Sequence, residues 1–190
     1  MSVNPADFRK AMGCFATGVT ILTLDLGEER RGVLPGKARD EPHGAAGGAT
    51  HGAVHGMTAN AFASVSLDPP LVLVCVDRQA STHAHLHAKK RFGVNVLSAD
   101  QRAISEYYAR ADRRDVDAEA VAGARFDRTR HGTPVLHGSL AYLECRLRSA
   151  EEAGDHTIFI AEVEDVVMRE GDPLVFYRGK YRKVGAEAAS

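Results

Sequence analysis

Small hydroxyl residues and alanines crowd the segment HGMTANAFASVSLDPPLVLVCV, His55 to Val76, just before a double proline and a run of valine and leucine. Large side chains would fill the space above a strand; Ala, Ser and Thr leave it open. They also offer hydroxyls and nearby main-chain groups to a flat ligand with polar edges. The segment therefore reads as a ligand floor, with Thr58, Asn60, Ser64 and Ser66 supplying polar groups. Downstream, Ser81 and Thr82, then Arg91 and Phe92, then the Gly154, Asp155, His156 tripeptide repeat the pattern of hydroxyl, cation and turn. By residue type alone these positions are equally strand-edge and turn chemistry.

Other chemistries fit less well. His83, His85 and His87 lie two apart, so a strand would align all three as metal ligands, whereas a helix would align only His83 and His87. With no acidic or cysteine partner nearby, a solvated helix face is the better reading. His43, His51 and His55 sit in a glycine-rich stretch that supplies no preset ligand geometry. That stretch, GAAGGATHGAVHG, matches neither phosphate-cradling glycine pattern and leads into a β-rich region instead of a helix. No nucleophile, histidine and acid order and no paired carboxylates stand out.

Composition narrows the class further. The 190 residues, 44% hydrophobic and 26% charged, favour one ordinary domain over 1–190 with its own core. A net charge of -1 provides no general field for nucleic acid or anionic lipid, which favours a small-molecule partner. Cys14, Cys75 and Cys145 form no CxxC pair and sit among apolar residues, as expected of reduced, buried thiols in a cytoplasmic protein. The run from Ala11 to Leu24 is interrupted by Gly and Thr and followed by DLGEERRG, so it reads as mature structure and not as a signal peptide.

The elements that must carry these residues follow from local pattern. Asn4 and Pro5 predict a helix cap and first turn, with the helix ending near Cys14. GVTILTL predicts a strand, and Gly27 to His55 a long flexible loop. Leu71 to Val76 predicts a fully buried strand, followed by a short helix capped by Ser81 and a strand over FGVNVLS. Ile104, Tyr107 and Tyr108 mark an amphipathic helix. In LAYLECRLRSA, Ala141, Leu143, Cys145 and Leu147 share one face, and Tyr142, Glu144, Arg146 and Arg148 share a polar one. HTIFIAEVEDVVM repeats the alternation after a Gly154–Asp155 turn, and Arg178–Gly179 turns a closing hairpin. Strands linked by hairpins, with three modest helices, predict a mainly β fold, an antiparallel barrel.

The motifs FATGVTILT, GMTANAFASVSLDPPLVLVCV, FGVNVLS, GDHTIFIAEV and PLVFYRGKYR, in this order, resemble the short-chain flavin reductases that serve two-component flavin-dependent monooxygenases. The resemblance implies an FMN-binding split β-barrel. It places Thr58, Ala59, Asn60, Ser64, Val65 and Ser66 along the isoalloxazine and ribityl chain. It puts Ser81, Thr82, Arg91, Phe92 and Gly93 near the flavin phosphate, and His156 where the nicotinamide docks. Tyr177 and Tyr181 border the pocket. It further implies FMN or FAD as flavin, NADH or NADPH as hydride donor, no metal, a homodimer in which one subunit completes the other's site, and a monooxygenase partner. The insertion at 27–55 departs from the tight hairpin of the family. The rival reading is a non-catalytic flavin- or haem-binding split barrel acting as carrier or sensor.

Overall fold

The computed structural model describes residues 3–27, 53–110, 118 and 122–185. Most of the insertion expected at 27–55, with His43 and His51, lies outside the described residues. Helix α1, Pro5–Met12, begins as its sequence dictates: the Ala6 N–H donates to the Asn4 side chain at 2.9 Å, and Pro5 opens the first turn. It buries none of its residues, leaving Phe8 and Met12 exposed.

Strands β1 (Thr17–Gly18), β2 (Thr20–Asp25), β3 (Val54–Ala59), β4 (Phe62–Leu67) and β5 (Pro70–Asp77) come next. Pairing of β3 with β2 starts at Val54, so the strand claims the end of the segment expected to be a loop. After β5 come helix α2 (Ser81–Lys89), β6 (Arg91–Val96), a 3-10 turn at Ala99–Gln101 and helix α3 (Arg102–Tyr108). The chain closes with a short ribbon, β7 (Phe126–Arg128) and β8 (Pro134–Leu136), then the long strands β9 (Ala141–Ala153) and β10 (His156–Met168), and the hairpin β11 (Val175–Tyr177) and β12 (Lys180–Arg182).

Seven strands form one antiparallel sheet in the order β3-β2-β6-β9-β10-β5-β4. Strands β3 and β4 are its two ends, yet only Asn60 and Ala61 separate them in the chain. The sheet must therefore roll until its ends approach. Since β3 pairs only with β2 and β4 only with β5 among the described strands, the roll stays open along one seam. This is a split barrel.

Two apolar clusters hold it. Inside, Leu22, Leu24, Val72, Val74, Val76, Phe92, Val94, Cys145, Phe159 and Ala161 pack with Leu86 of α2, which plugs the barrel. Outside, Val19, Ile21, Leu97, Leu136 and Leu174 meet Ile104, Tyr107 and Tyr108 of α3, as the helical spacing predicts. Each fully buried Leu, Val or Phe contributes about 1.5–3 kcal/mol of transfer free energy.

Several expectations are corrected here. Strand β5 alternates instead of being buried throughout: Val72, Val74 and Val76 face inward, while Leu71, Leu73 and Cys75 are half-buried. Tyr142 and Glu144 on the polar face of β9 are buried, because the β7–β8 region covers them. Cys14 is exposed and Cys75 half-buried; only Cys145 is the enclosed thiol expected. The histidines of α2 are not a purely solvated face. His83 and His87 set their rings against Phe159, and His83 shares a 2.9 Å hydrogen bond with Thr157. Burial, helped by the neighbouring His87, pulls the His83 pKa below its usual value.

Candidate functional site

The floor segment divides between β3, the Asn60–Ala61 link and β4. From Asn60 to Pro70 only Phe62 and Ser66 are even partly buried, so Ala63 and Ser64 of β4 lie open and Ser66 is half-covered. An extra residue at Val65 bulges the strand between Ser64 and Ser66, twisting it away from regular pairing. Ala59, by contrast, packs into the inner core with 8% exposure. Thr58 faces α3, where its hydroxyl donates to the Ser105 carbonyl at 2.7 Å.

Hydrogen bonds and strand register bring several other candidates toward this segment. Asn60 donates to the Thr17 hydroxyl at 3.3 Å, and Thr17 is paired with Phe176, beside Tyr177. On the other side of the link, the Cys75 N–H donates to the Ala61 carbonyl, and Cys75 is paired with Ile158, two residues from His156. His156 opens β10 opposite Asp77, the last residue of β5, from which the chain turns into α2 and Ser81. Its ring is half-exposed and bonded to Asp155 at 2.7 Å. That hydrogen bond chiefly holds the Asp155 carboxyl below its usual range, and the Arg9 guanidinium adds to the effect.

Ser81 is exposed at the first turn of α2, but Ala80, not Ser81, is the cap, and it has no side-chain hydrogen bond to the helix. Tyr181 anchors the closing hairpin: its hydroxyl shares a 2.8 Å hydrogen bond with Ser105, and its ring meets Phe176.

Four of the residues expected near a phosphate are engaged within the protein. Thr82 is buried and its hydroxyl is engaged by His55 at 2.7 Å. Phe92 belongs to the inner core. Gly93 packs beneath β9, where a Cβ would come within 2.5 Å of the Thr23 hydroxyl and 2.7 Å of the Tyr142 ring. Arg91 points to the same outer face and pairs with Glu164, with Glu144 3.5 Å away. Burial alone would raise the Glu144 pKa, but hydrogen bonds from Thr133, Thr129 and His131 outweigh it and hold the carboxyl below its usual range. The Arg91 guanidinium is thus committed to carboxylates.

Sequence reasoning passed over a cleft of about 510 Å³ between the end of α1 and the closing hairpin, lined by Arg9, Lys10, Gly13, Cys14, Arg178 and Gly179. In sequence, Arg9 and Lys10 are simply charges ahead of the run that begins at Ala11. An arginine in a tight hairpin turn was the available signal. Among the described residues no group of three or more His, Cys, Asp or Glu could hold a metal ion, and no helix is long and apolar enough to cross a membrane.

A flat ring with a hydrogen-bonding rim suits an open strand of small residues whose outer edge lacks a strand partner among the described residues. Residues 12–185 match the model of the flavin reductase like domain, and the chain belongs to that family. It is 38% identical over 182 residues to an NADH-dependent flavin reductase of a Rhodococcus species, covering 96% of this chain and 88% of that one. It is 34% identical over 179 residues to the reductase component of a 4-nitrophenol 4-monooxygenase/4-nitrocatechol 2-monooxygenase of Rhodococcus opacus, covering 94% and 80%. The Streptomyces globisporus NADH:FAD oxidoreductase SgcE6, solved with NAD and FAD fragments, superposes with a TM-score of 0.77 at 31% identity, covering 100% of this chain and 99% of that one.

Proposed function

We infer that the protein is an NAD(P)H-dependent flavin reductase which supplies reduced flavin to a partner monooxygenase. One observation carries the reading: in a chain of this family, an exposed strand of small residues borders the barrel seam, with His156 at the near end of the same sheet. Relatives named as NADH-dependent flavin reductases and monooxygenase reductase components favour turnover over a passive flavin or haem carrier.

Bound flavin supplies a two-electron acceptor for the nicotinamide hydride. The protein's contribution is placement, because hydride transfer asks no side chain for a proton. Ser64, Val65, Ser66 and the free edge of β4 take the flavin, with Thr58, Ala59 and Asn60 completing the floor. Ser81 and the uncapped first turn of α2 face its phosphate, a favourable setting for an anion. Thr82, Phe92, Gly93 and Arg91 act behind this layer by holding α2 and β6 in place. His156, steadied by Asp155, stands where the nicotinamide enters, and Tyr177 and Tyr181 close the rim.

The active unit is a homodimer of single-domain subunits in the cytoplasm, where NADH is supplied. What supports the dimer is the half-buried outer row of Leu71, Leu73, Ile158 and Ile160, continued by exposed Val65 and by Leu67, which is 95% exposed. The deciding experiment mixes the purified chain with NADH and FMN or FAD and follows NADH absorbance. Flavin-dependent loss of NADH is expected; tight flavin binding with no NADH consumption would favour the carrier.

A further inference from the structure

The cleft between α1 and the β11–β12 turn joins residues from the two ends of the chain. Arg9, Lys10 and Arg178 are among the residues that line it, with Gly13, Cys14 and Gly179. Neither Arg9 nor Arg178 forms an ion pair among the described residues, and Lys10 has only a loose one to Asp7 at 3.9 Å, with both side chains mostly exposed. Arg178 instead lies over the Tyr177 ring, 5.3 Å from its centre, and its Nη2 reaches the Cys14 sulfur at 3.9 Å. Its backbone N–H donates to the Gly13 carbonyl at 2.8 Å, which ties the turn to the helix and fixes the cleft's width.

The turn itself argues that the arginine is there for its side chain. Arg178 and Gly179 both have positive φ, 49° and 72°, as a two-residue turn of mirrored type requires. Asn, Asp or Gly would take the first position with less strain, so an arginine is an unfavourable choice for the backbone alone. A strained residue whose guanidinium has no carboxylate partner among the described residues, in a cleft with two more cationic residues, fits recognition of a multiply charged anion. Arg178 directly follows Tyr177, a candidate rim residue, which puts the cleft beside the candidate site.

We propose that this cleft receives the diphosphate of a dinucleotide, with Arg178 and Arg9 as its binding residues. The proposal rests on the flavin reductase reading for the identity of the dinucleotide, NADH or FAD, but its test does not need turnover. ADP-ribose carries the diphosphate and adenosine without nicotinamide or flavin. Calorimetric titration into the full-length protein should give a Kd about tenfold weaker for Arg178→Gly and for Arg9→Ala than for wild type. Glycine suits φ of 49°, so Arg178→Gly should keep the wild-type Tm while removing the cation. Arg178→Lys should recover part of the affinity.

Steady-state kinetics identify the source. A higher KM for NADH at saturating FMN assigns the diphosphate to the nicotinamide donor; a higher KM for FAD but not FMN assigns it to the flavin. Both results support the cleft. Unchanged ADP-ribose affinity in both variants overturns it, as does an equal rise in KM for riboflavin, which has no phosphate. A wild-type protein that binds ADP-ribose but consumes no NADH would instead sink the reductase reading and leave the cleft standing.

Discussion

Two groups of arginines in this molecule keep opposite company. Arg91 and Arg146 sit on the outer face of the long sheet among Glu144, Glu162 and Glu164, each guanidinium meeting carboxylate oxygens, and Glu144 is only 1% exposed. Arg9 and Arg178 sit in an open cleft with a thiol, an aromatic ring and no paired carboxylate among the described residues. In the first group the chain satisfies every charge itself, and the arginines hold strands. In the second the charges are left for a molecule from outside. A self-satisfied cluster should therefore reveal itself in folding, and an incomplete one in binding.

The sharpest test of the first half is Glu144→Ala. It removes the acceptor for Thr129 and Thr133 and the partner of His131 and Arg91, leaving buried polar groups uncompensated. A loss of about 3 kcal/mol is expected, or roughly 6–12 °C in Tm, read by thermal melts. Arg178→Gly should leave Tm unchanged. A comparable loss there would make Arg178 a structural strut and erase the contrast.

Next in size is Ser66→Leu. Branched bulk at this half-buried position of β4 should weaken flavin binding about tenfold with the fold intact, as one lost close contact or hydrogen-bonded edge would, measured by flavin titration. Ala59→Leu is the instructive counterpart: Ala59 lies in the inner core, so its overpacking should lower stability by about 1–3 kcal/mol. His156→Ala is expected to raise the KM for NADH roughly fivefold while flavin affinity stays within about twofold, because the loss falls on one ligand. Equal KM values in both proteins would remove His156 from the nicotinamide site.

The smallest effect is in the acid limb of stability. Glu144 and Glu164 are both held below the usual carboxylate range, Glu164 chiefly by Arg146 and then Arg91. Groups with depressed folded pKa values bind more protons when unfolded, so their contribution is present above an unfolded value of about 4.3 and is lost as pH falls below it. Tm should decline below about pH 4.3, and Glu164→Gln should flatten the decline.

The same contrast explains what could be read from the chain. The Asn4 cap, the alternation in β10 and the Arg178–Gly179 turn are local, and each was legible because the residues that decide it are neighbours. Period two in β9 also sorted Tyr142, Glu144 and Arg146 correctly onto one face. What no local pattern contained was the cover over that face, supplied by the weakly patterned stretch around β7 and β8. The pairing of Arg91 was not legible for that reason: a cation beside a strand start looks free until its carboxylates arrive from Glu144 and Glu164, distant in sequence. The cleft was missed because its two walls, the end of α1 and the last hairpin, come from opposite ends of the chain.

The strand order has a consequence for how the molecule comes to be made. Three of the six neighbouring pairs in the large sheet, β2 with β6, β6 with β9 and β10 with β5, join strands that are not consecutive in sequence. A nascent chain cannot complete the barrel until β9 and β10 have emerged, and until then the inner faces of β2, β5 and β6 have only α2 to cover them. Such non-local pairing places spontaneous refolding on the order of milliseconds to seconds. Over that interval the exposed apolar strands invite chaperone capture or self-association, so soluble yield on overproduction should depend on temperature and synthesis rate more than on the stability of the finished barrel.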